Sequence, residues 1–197
     1  MIRVCVLGSI GSGKSFIAKL FNYPVFNADK EVNYIYKKDK QCFKKLKKKL
    51  PEFIKTFPIK KKELINAISK DNKNLKIISS IVHPIVRKKM YNFINKKKYS
   101  KIVILDIPLL IENKLNKKND ILVFIKAHNS KIISRLKRRK NYNKKILENL
   151  KQNQTALKKK ERLANYIVEN NFSYNIMKSK IKLIRKSILD ERNSSRY

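Results

Sequence analysis

The chain has 197 residues, a formal net charge of +36 and 42% hydrophobic residues, enough apolar material for one domain with a core. Apolar segments recur along it, which argues against disorder, and we expect no membrane span because none approaches ~20 residues. Two cysteines, Cys5 and Cys42, form neither a disulfide framework nor a zinc motif, so we expect a location in the reducing cytoplasm.

The basic charge has two interpretations. Lysine, isoleucine and asparagine account for 41, 27 and 21 residues, and all three have AT-rich codons. A drift in base composition therefore explains the lysines without a polyanionic partner, whereas a basic surface for nucleic acid is the alternative. Because the lysines are spread over the whole chain and no nucleic-acid motif stands out, we expect no specific nucleic-acid partner.

Strand and helix patterns alternate at the start of the chain. Residues 2–7 form an apolar, β-branched run that ends at Gly8, which predicts a buried strand. Residues 15–22 carry an apolar face at helical spacing, and the following Tyr-Pro pair ends that helix. Residues 25–26 predict a short strand before Asp29.

The rest of the chain divides into a helical region and a strand-containing region. Residues 30–99 are lysine-rich with apolar stripes at helical spacing, and their prolines, including Pro84, divide them into three or four predicted helices. The later predicted elements are strands at 102–107, 121–125 and 166–168, a basic helical region at 130–163 and a final helix at 173–192. This alternation predicts a parallel α/β sheet that binds ligands at the carboxyl ends of its strands.

All three glycines, Gly8, Gly11 and Gly13, lie in the window Gly8–Ser15, which matches G-x-x-x-x-G-K-[ST] between a strand and a helix. In such a loop the backbone amides and the helix N-terminus bind phosphate, Lys14 reaches the β- and γ-phosphates, and the Ser15 hydroxyl binds Mg²⁺. A glycine-rich turn without a ligand is the alternative, and the complete motif disfavours it.

A phosphate loop does not identify the reaction. The base-reading N-K-x-D of a GTPase is absent, since residues 116–119 lack the aspartate and precede a strand. A small-molecule kinase fits the chain length best. The alternatives are a kinase for a nucleoside monophosphate or another metabolite, and a nucleic-acid-binding protein that uses ATP as a switch.

Candidate side chains for phosphoryl transfer follow the strands and the basic helix. Asp29 is expected beside the phosphate loop, as the group that accepts or orients the hydroxyl proton or as a helix N-cap. Asp106 is expected at a strand end, as a Walker-B-like carboxylate or a turn residue. Arg135, Arg138 and Arg139 either stabilise the transferred phosphoryl or lie on a solvated helix face. His83 and Arg87 suggest an anion pocket, although a lone histidine is more often structural.

Six segments in order resemble the dephospho-coenzyme A kinase family. They are Leu7–Ser15 (T-G-G-I-G-S-G-K-S), Pro24–Asp29 (P-V-I-D-A-D), Ile81–Arg87 (L-x-H-P-x-[IV]-R), Asp106–Glu112 (D-x-P-L-L-[FV]-E), Arg135–Arg139 (R-[LV]-x-x-R) and Gln154 with Ala164–Asn170 (Q-x(9)-A-D-x-[IV]-[IV]-x-N). The resemblance covers nearly the whole chain. It implies phosphorylation of the ribose 3′-hydroxyl of dephospho-coenzyme A by ATP with Mg²⁺, in a chain that we expect to be a monomer with small-molecule partners only.

The resemblance also implies an organisation and a set of site residues. The expected architecture is a P-loop sheet core at about 1–29, 100–128 and 164–197, a helical acceptor-binding region at about 30–99 and a helical lid at about 130–160. The expected catalytic residues are Asp29, Lys14 and Arg139. The expected nucleotide-binding residues are Gly8, Gly11, Ser12, Gly13, Lys14, Ser15, Phe16 and Asn170, with Ser15 as the metal ligand. The expected acceptor-binding residues are His83, Arg87, Asp106, Pro108, Leu109 and Glu112.

Five residues depart from the family pattern. Leu7 and Ser9 replace Thr and Gly in the loop, so one contact with the acceptor is in doubt. Asn27 replaces the first of two aspartates and leaves Asp29 as the remaining carboxylate. Asn165 replaces an aspartate near the last strand, and Lys140 lies where the lid often carries an acid.

Overall fold

The computed structural model describes residues 1–138 and 156–194, with side chains up to residue 191. The described residues form two compact units, the first made of residues 1–26, 97–138 and 156–194 and the second of residues 27–96. The second unit lies close to the helical region expected at 30–99. No helix in the described ranges combines the length and apolar character needed to cross a bilayer.

The sheet has five strands in the order β2-β3-β1-β4-β5. The strands are β1 (Ile2–Gly8), β2 (Val25–Asn27), β3 (Ile102–Asp106), β4 (Ile121–Lys126) and β5 (Tyr166–Glu169). Strand β1 pairs in parallel with β3 and β4, and β4 pairs in parallel with β5. Both neighbours of β1 are strands and residues 3–8 are buried, which is why its sequence is a nearly continuous apolar run.

The helices of the described residues follow in chain order. They are α1 (Lys14–Leu20), α2 (Ala28–Lys38), α3 (Lys40–Lys49), α4 (Lys61–Lys70), α5 (Asn72–Lys96), α6 (Asn129–Lys137), α7 (Leu157–Arg162) and α8 (Tyr174–Ser194). The predicted strands and the first and last predicted helices are confirmed to within two residues at each end. The region predicted at 130–163 is confirmed as helix where α6 and α7 describe it, and the lid expected at about 130–160 lies partly outside the described residues.

The core of the first unit lies between the sheet and helices α1 and α8. Ile17 and Phe21 on the α1 side are fully buried against Val4 and Val6 of β1, while Met177 of α8 is buried in the same cluster. Each such side chain contributes roughly 1.5–3 kcal/mol through burial of its apolar surface. This packing fixes α1 against the strand that precedes it, and therefore fixes the loop that joins the two.

Helix α5 is the centre of the second unit, and α2, α3 and α4 contact it. Its buried residues Ile78, Val82, Val86 and Met90 recur every four positions and form one continuous face. The expectation that Pro84 divides the region is wrong, because α5 continues through it. Proline inside a helix costs about 3 kcal/mol, and the buried face on both sides of Pro84 offsets that cost.

Candidate active site

The phosphate loop joins the end of β1 to the start of α1 and requires glycine at two positions. Gly8 has φ 140°, and a Cβ there would lie 2.5 Å from the carbonyl oxygen of Ile125 on β4. Gly13 has φ 93° and is the N-cap residue of α1, and a Cβ there would collide with the Asn170 side chain. The loop is therefore held against two neighbouring strand ends by contacts that leave no room for side chains.

Lys14 is the first residue of α1, and its ammonium group turns back into the loop. Its Nζ donates hydrogen bonds to the carbonyl oxygens of Gly8 at 3.1 Å and Ser9 at 2.8 Å, and the residue is 9% exposed. The flexible stem of lysine places a point charge at the concave side of the loop. This is the position that a phosphate-binding lysine needs.

The other predicted nucleotide-binding residues differ in exposure. Ser12 is fully buried, and its hydroxyl makes no hydrogen bond within the described residues, so only its backbone can face a ligand. Ser15 is exposed in the first turn of α1, and Phe16 is half-buried with its ring 6.4 Å from that of Tyr174. Gly11 is enclosed by side chains of α6, because a Cβ there would lie 3.0 Å from both Ile132 and Leu136.

Asn170 supports the phosphate loop from the end of β5. Its side-chain amide donates to the Ser12 carbonyl oxygen at 2.8 Å, and its Oδ1 accepts the backbone N–H of Phe172 at 2.8 Å. Its own backbone N–H donates to the Lys126 carbonyl oxygen at 2.7 Å, and the residue is 3% exposed. Asn170 therefore joins the loop to β4 and β5, a supporting position that sequence reasoning did not foresee.

Sequence reasoning missed Phe172, which lies between the loop and α6. Its backbone has a positive φ of 68°, and its ring would lie 3.3 Å from a Cβ at Gly13. The Arg135 guanidinium lies over this ring, 4.4 Å from its centroid, in a cation–π contact. Arg138 is the C-cap residue of α6, and Arg139, expected as the lid arginine, lies outside the described residues, as do Lys140 and Gln154.

The segment after β3 carries the predicted acceptor signature. Asp106 is the last residue of β3 and is 3% exposed, while Pro108 and Leu109 are half-buried in the turn that follows. The Leu109 carbonyl oxygen accepts the backbone N–H of Asn113 at 3.1 Å and its side-chain amide at 2.8 Å. Glu112 forms an ion pair with Lys160 of α7, with Nζ and Oε1 2.6 Å apart.

Asp29 is an exposed residue in the first turn of α2, in the second unit. The interpretation of Asp29 as the N-cap is wrong, because the N-cap is Asn27, whose Oδ1 accepts the backbone N–H of Lys30 at 2.8 Å. Asparagine and aspartate cap helices about equally well, which explains why Asn27 is tolerated in place of the aspartate of the pattern. The cap and the candidate base are thus separate residues.

His83 and Arg87 lie one turn apart on the same side of α5, in the second unit. Burial, and next the positive charge of Arg87, lower the pKa of His83 below 6.5. The histidine is therefore neutral near pH 7, and Arg87 is the cation of this pair. The structure brings these two predicted residues together, as the sequence spacing implies.

A cavity of about 680 Å³ lies within the first unit at the carboxyl ends of β4 and β5. Its wall includes Ser9 of the phosphate loop, Ile125 and Lys126 of β4, and Asn170. Ligands of parallel α/β sheets bind at this edge. The cavity, the loop and Lys14 together make an anion-binding site at the expected edge of the sheet.

The family comparison decides the type of kinase. Residues 2–175 match the family model described as dephospho-CoA kinase. The chain belongs to the dephospho-CoA kinase family. The dephospho-CoA kinase of Wolbachia pipientis wMel is 30% identical over 190 residues, covering 94% of this chain and 97% of that relative. That of Wolbachia sp. subsp. Brugia malayi is 32% identical over 186 residues, covering 92% and 95%.

Solved structures agree with this fold. A Thermus thermophilus protein has 25% identity and a TM-score of 0.75, covering 96% of this chain and 97% of that one. The dephospho-CoA kinase from Campylobacter jejuni has 21% identity and a TM-score of 0.66, covering 96% and 98%. A shikimate kinase from Acinetobacter baumannii has 14% identity and a TM-score of 0.55, covering 97% and 94%. The last two comparisons show the fold alone.

Two further departures from the dephospho-CoA kinase pattern are compatible with the local structure. Asn165 accepts the backbone N–H of Leu122 on its Oδ1 at 2.8 Å, and its backbone N–H donates to the Leu122 carbonyl oxygen at 2.9 Å. An aspartate oxygen accepts the same bond, so the exchange preserves it. Leu7 is buried in β1 and paired with Phe124 of β4, so the apolar side chain suits its position.

The residues near the loop suit the magnesium ion that dephospho-CoA kinases are expected to use. Mg²⁺ prefers oxygen ligands, and it is usually bound through one or two protein oxygens together with substrate phosphates and water. Ser15 supplies a hydroxyl in the first turn of α1, and Asp106 supplies a carboxylate at the end of the adjacent strand β3. No cluster of three or more His, Cys, Asp or Glu side chains able to hold a metal occurs in the described residues, which agrees with a metal that phosphates help to hold.

Proposed function

We propose that the chain transfers the γ-phosphoryl group of ATP to the ribose 3′-hydroxyl of dephospho-coenzyme A, giving coenzyme A and ADP. The observation that carries this proposal is the complete phosphate loop, with Lys14 directed into it, in a chain whose family match spans residues 2–175. Phosphoryl transfer depends mainly on positioning and charge stabilisation, and the site is built from groups of that kind.

We propose that the loop binds the ATP phosphates and that Lys14 neutralises the charge that develops on the transferred group. Its amine is held by neutral carbonyl oxygens of the loop, so a phosphate oxygen replaces a weaker partner with a charged one. The loop needs no rearrangement to receive the anion, because its glycines and Asn170 hold it in shape. This pre-organisation supports catalysis by electrostatic stabilisation.

We propose that Asp29 accepts or orients the proton of the attacking 3′-hydroxyl. Support comes from its matched position in the family pattern and from Asn27, which does the capping that Asp29 was otherwise expected to do. We propose that Arg87, with neutral His83 beside it, and the segment from Asp106 to Glu112 bind the acceptor. Dephospho-coenzyme A is itself an anion, which a cation such as Arg87 attracts.

We propose Arg135 and Arg139 as the cations that approach the phosphates from the lid side. The stacking of Arg135 on Phe172 supports this, since it holds the guanidinium next to the loop. We propose that Ser15 and Asp106 hold the magnesium ion, which when bound neutralises phosphate charge. We also propose a monomer in the cytoplasm, consistent with two cysteines that are both free and buried.

A coupled assay of ADP release over a panel of acceptors tests the proposed function. Dephospho-coenzyme A, several nucleoside monophosphates and shikimate are compared at equal concentration with ATP and Mg²⁺. We expect ADP release well above background with dephospho-coenzyme A only, and coenzyme A as the product identified by mass. Faster turnover of a nucleoside monophosphate would overturn the proposal, and so would steeply salt-dependent nucleic-acid binding without acceptor phosphorylation.

A further inference from the structure

A buried ion pair in the first unit joins two segments that are distant in the chain. Lys160 Nζ lies 2.6 Å from Glu112 Oε1, and the Lys160 side chain is only 1% exposed while that of Glu112 is 14% exposed. Lysine is almost never this buried unless it is paired. The position of the segment that carries Glu112 is therefore coupled to the position of α7.

Both members of the pair lie near the site. Helix α7 contacts β1, and its residues Leu157 and Glu161 line the same cavity as Ser9 of the phosphate loop. Glu112 belongs to the segment that leaves the carboxyl end of β3, the strand next to β1. The pair thus connects the helix beside the loop with the segment that carries Pro108 and Leu109.

We propose that Lys160 is a positioning residue for the acceptor, acting through Glu112. The proposal rests on the proposed function, in which the segment from residue 106 to residue 112 binds dephospho-coenzyme A. Without its lysine, a carboxylate in this half-buried place moves toward water and takes the segment with it. Glu112 accordingly serves to hold Pro108 and Leu109 in place, and the lysine sets the affinity for the acceptor and not that for ATP.

The first unit offers a matched control in a second buried ion pair. Arg3 and Asp120 lie 2.9 Å apart, with side chains 9% and 2% exposed. Arg3 is near the start of β1 and Asp120 immediately precedes β4, so this pair lies at the amino edge of the sheet. It has comparable burial and chemistry but lies at the edge away from the phosphate loop.

The test compares the double variants Lys160→Met/Glu112→Gln and Arg3→Met/Asp120→Asn. Each removes both charges of one pair, so neither leaves an uncompensated buried charge. We expect Lys160→Met/Glu112→Gln to raise the KM for dephospho-coenzyme A about tenfold, with the KM for ATP within about twofold of wild type. We expect Arg3→Met/Asp120→Asn to leave both KM values within about twofold of wild type, whatever its thermal midpoint.

Two single variants complete the design. Lys160→Arg keeps the charge pair and is expected to keep the acceptor KM within about threefold of wild type. Glu112→Gln keeps the shape of the side chain and carries the same measurement if the double variant does not fold.

The outcomes separate this inference from the proposed function. An unchanged acceptor KM in the Lys160 and Glu112 variants overturns the inference and leaves the proposed function standing. An equal rise of both KM values in the two double variants also overturns it, because the effect is then a general loss of structure. A wild-type enzyme that does not phosphorylate dephospho-coenzyme A overturns the proposed function and the inference together.

Discussion

The two units of the chain secure their polar groups over very different sequence distances. In the first unit, Asn170 bonds to Ser12 across 158 residues, and Arg3 pairs with Asp120 at the far edge of the sheet. In the second unit, Asn27 caps α2 across three residues, and Glu63 accepts three hydrogen bonds from Lys55 and Thr56, seven or eight residues away. A sheet core is held by long-range contacts and a helical unit by local ones.

This difference has a functional counterpart. The first unit must hold a phosphate loop rigidly, because its amides and Lys14 act only when they are pre-organised. The second unit contributes Asp29, His83 and Arg87 from helix surfaces that local caps and one apolar face maintain. The predictions below test each unit through one variant and a control of matched chemistry.

Replacing Lys14 should have the largest effect. We expect Lys14→Ala to lower kcat for dephospho-coenzyme A by at least about 100- to 1,000-fold, since it removes the cation inside the loop. Steady-state kinetics measure the loss, and Lys19→Ala, which removes an exposed lysine of the same helix, is the control. A Lys14→Ala enzyme within tenfold of wild type would show that the loop is not the site of transfer.

Replacing Asp29 tests the second unit in the same way. We expect Asp29→Asn to lower kcat about 100-fold or more with the dissociation constant for ATP unchanged, because a general base is lost and the phosphate loop is intact. Calorimetric titration with ATP and kinetics with dephospho-coenzyme A measure the two quantities. Glu31→Gln removes a carboxylate from the same turn of α2 and should keep near-normal turnover; a normal kcat in Asp29→Asn would refute the assigned role.

Replacing Asn170 tests the long-range support of the loop. We expect Asn170→Ala to lower the free energy of unfolding by about 1–3 kcal/mol, because the buried Ser12 carbonyl and Phe172 N–H lose their partner. The KM for ATP should rise as well. Asn74→Ala removes a similar amide bond, to the Ala67 carbonyl in the second unit, and should cost about 1 kcal/mol without changing the KM for ATP. Equal ATP affinity in both variants would contradict the supporting role.

The smallest expected effect is the pH dependence that His83 gives the second unit. Burial, with Arg87 as a further cause, lowers its folded pKa below the 6.5 of the unfolded chain. Between these two pKa values the unfolded state binds more protons, so stability falls as the pH drops through 6.5 and levels off below the folded pKa. Urea unfolding across this range should show a shallower pH dependence in His83→Gln, with a partial change in Arg87→Gln. An unchanged dependence in His83→Gln would assign it to other groups.

Local signals explain what the sequence predicted well. The apolar run that ends at Gly8, the complete loop motif and the apolar spacing of the last helix predicted β1, the phosphate loop and α8, because each depends on neighbours in the chain. Pro84 misled the prediction for the same reason. Its local preference opposes a helix, but the buried face of α5 on either side of it prevails.

The sequence by itself determined that a phosphate loop precedes an amphipathic helix in an α/β chain, and its ordered motifs indicated the kinase family. The tertiary structure alone decided that Asn170 supports the loop, that Phe172 carries Arg135 and that Lys160 pairs with Glu112. The physical reason is that a hydrogen bond or ion pair between residues 37 to 158 positions apart depends on which strands are neighbours in the sheet. No local pattern of residues encodes that adjacency.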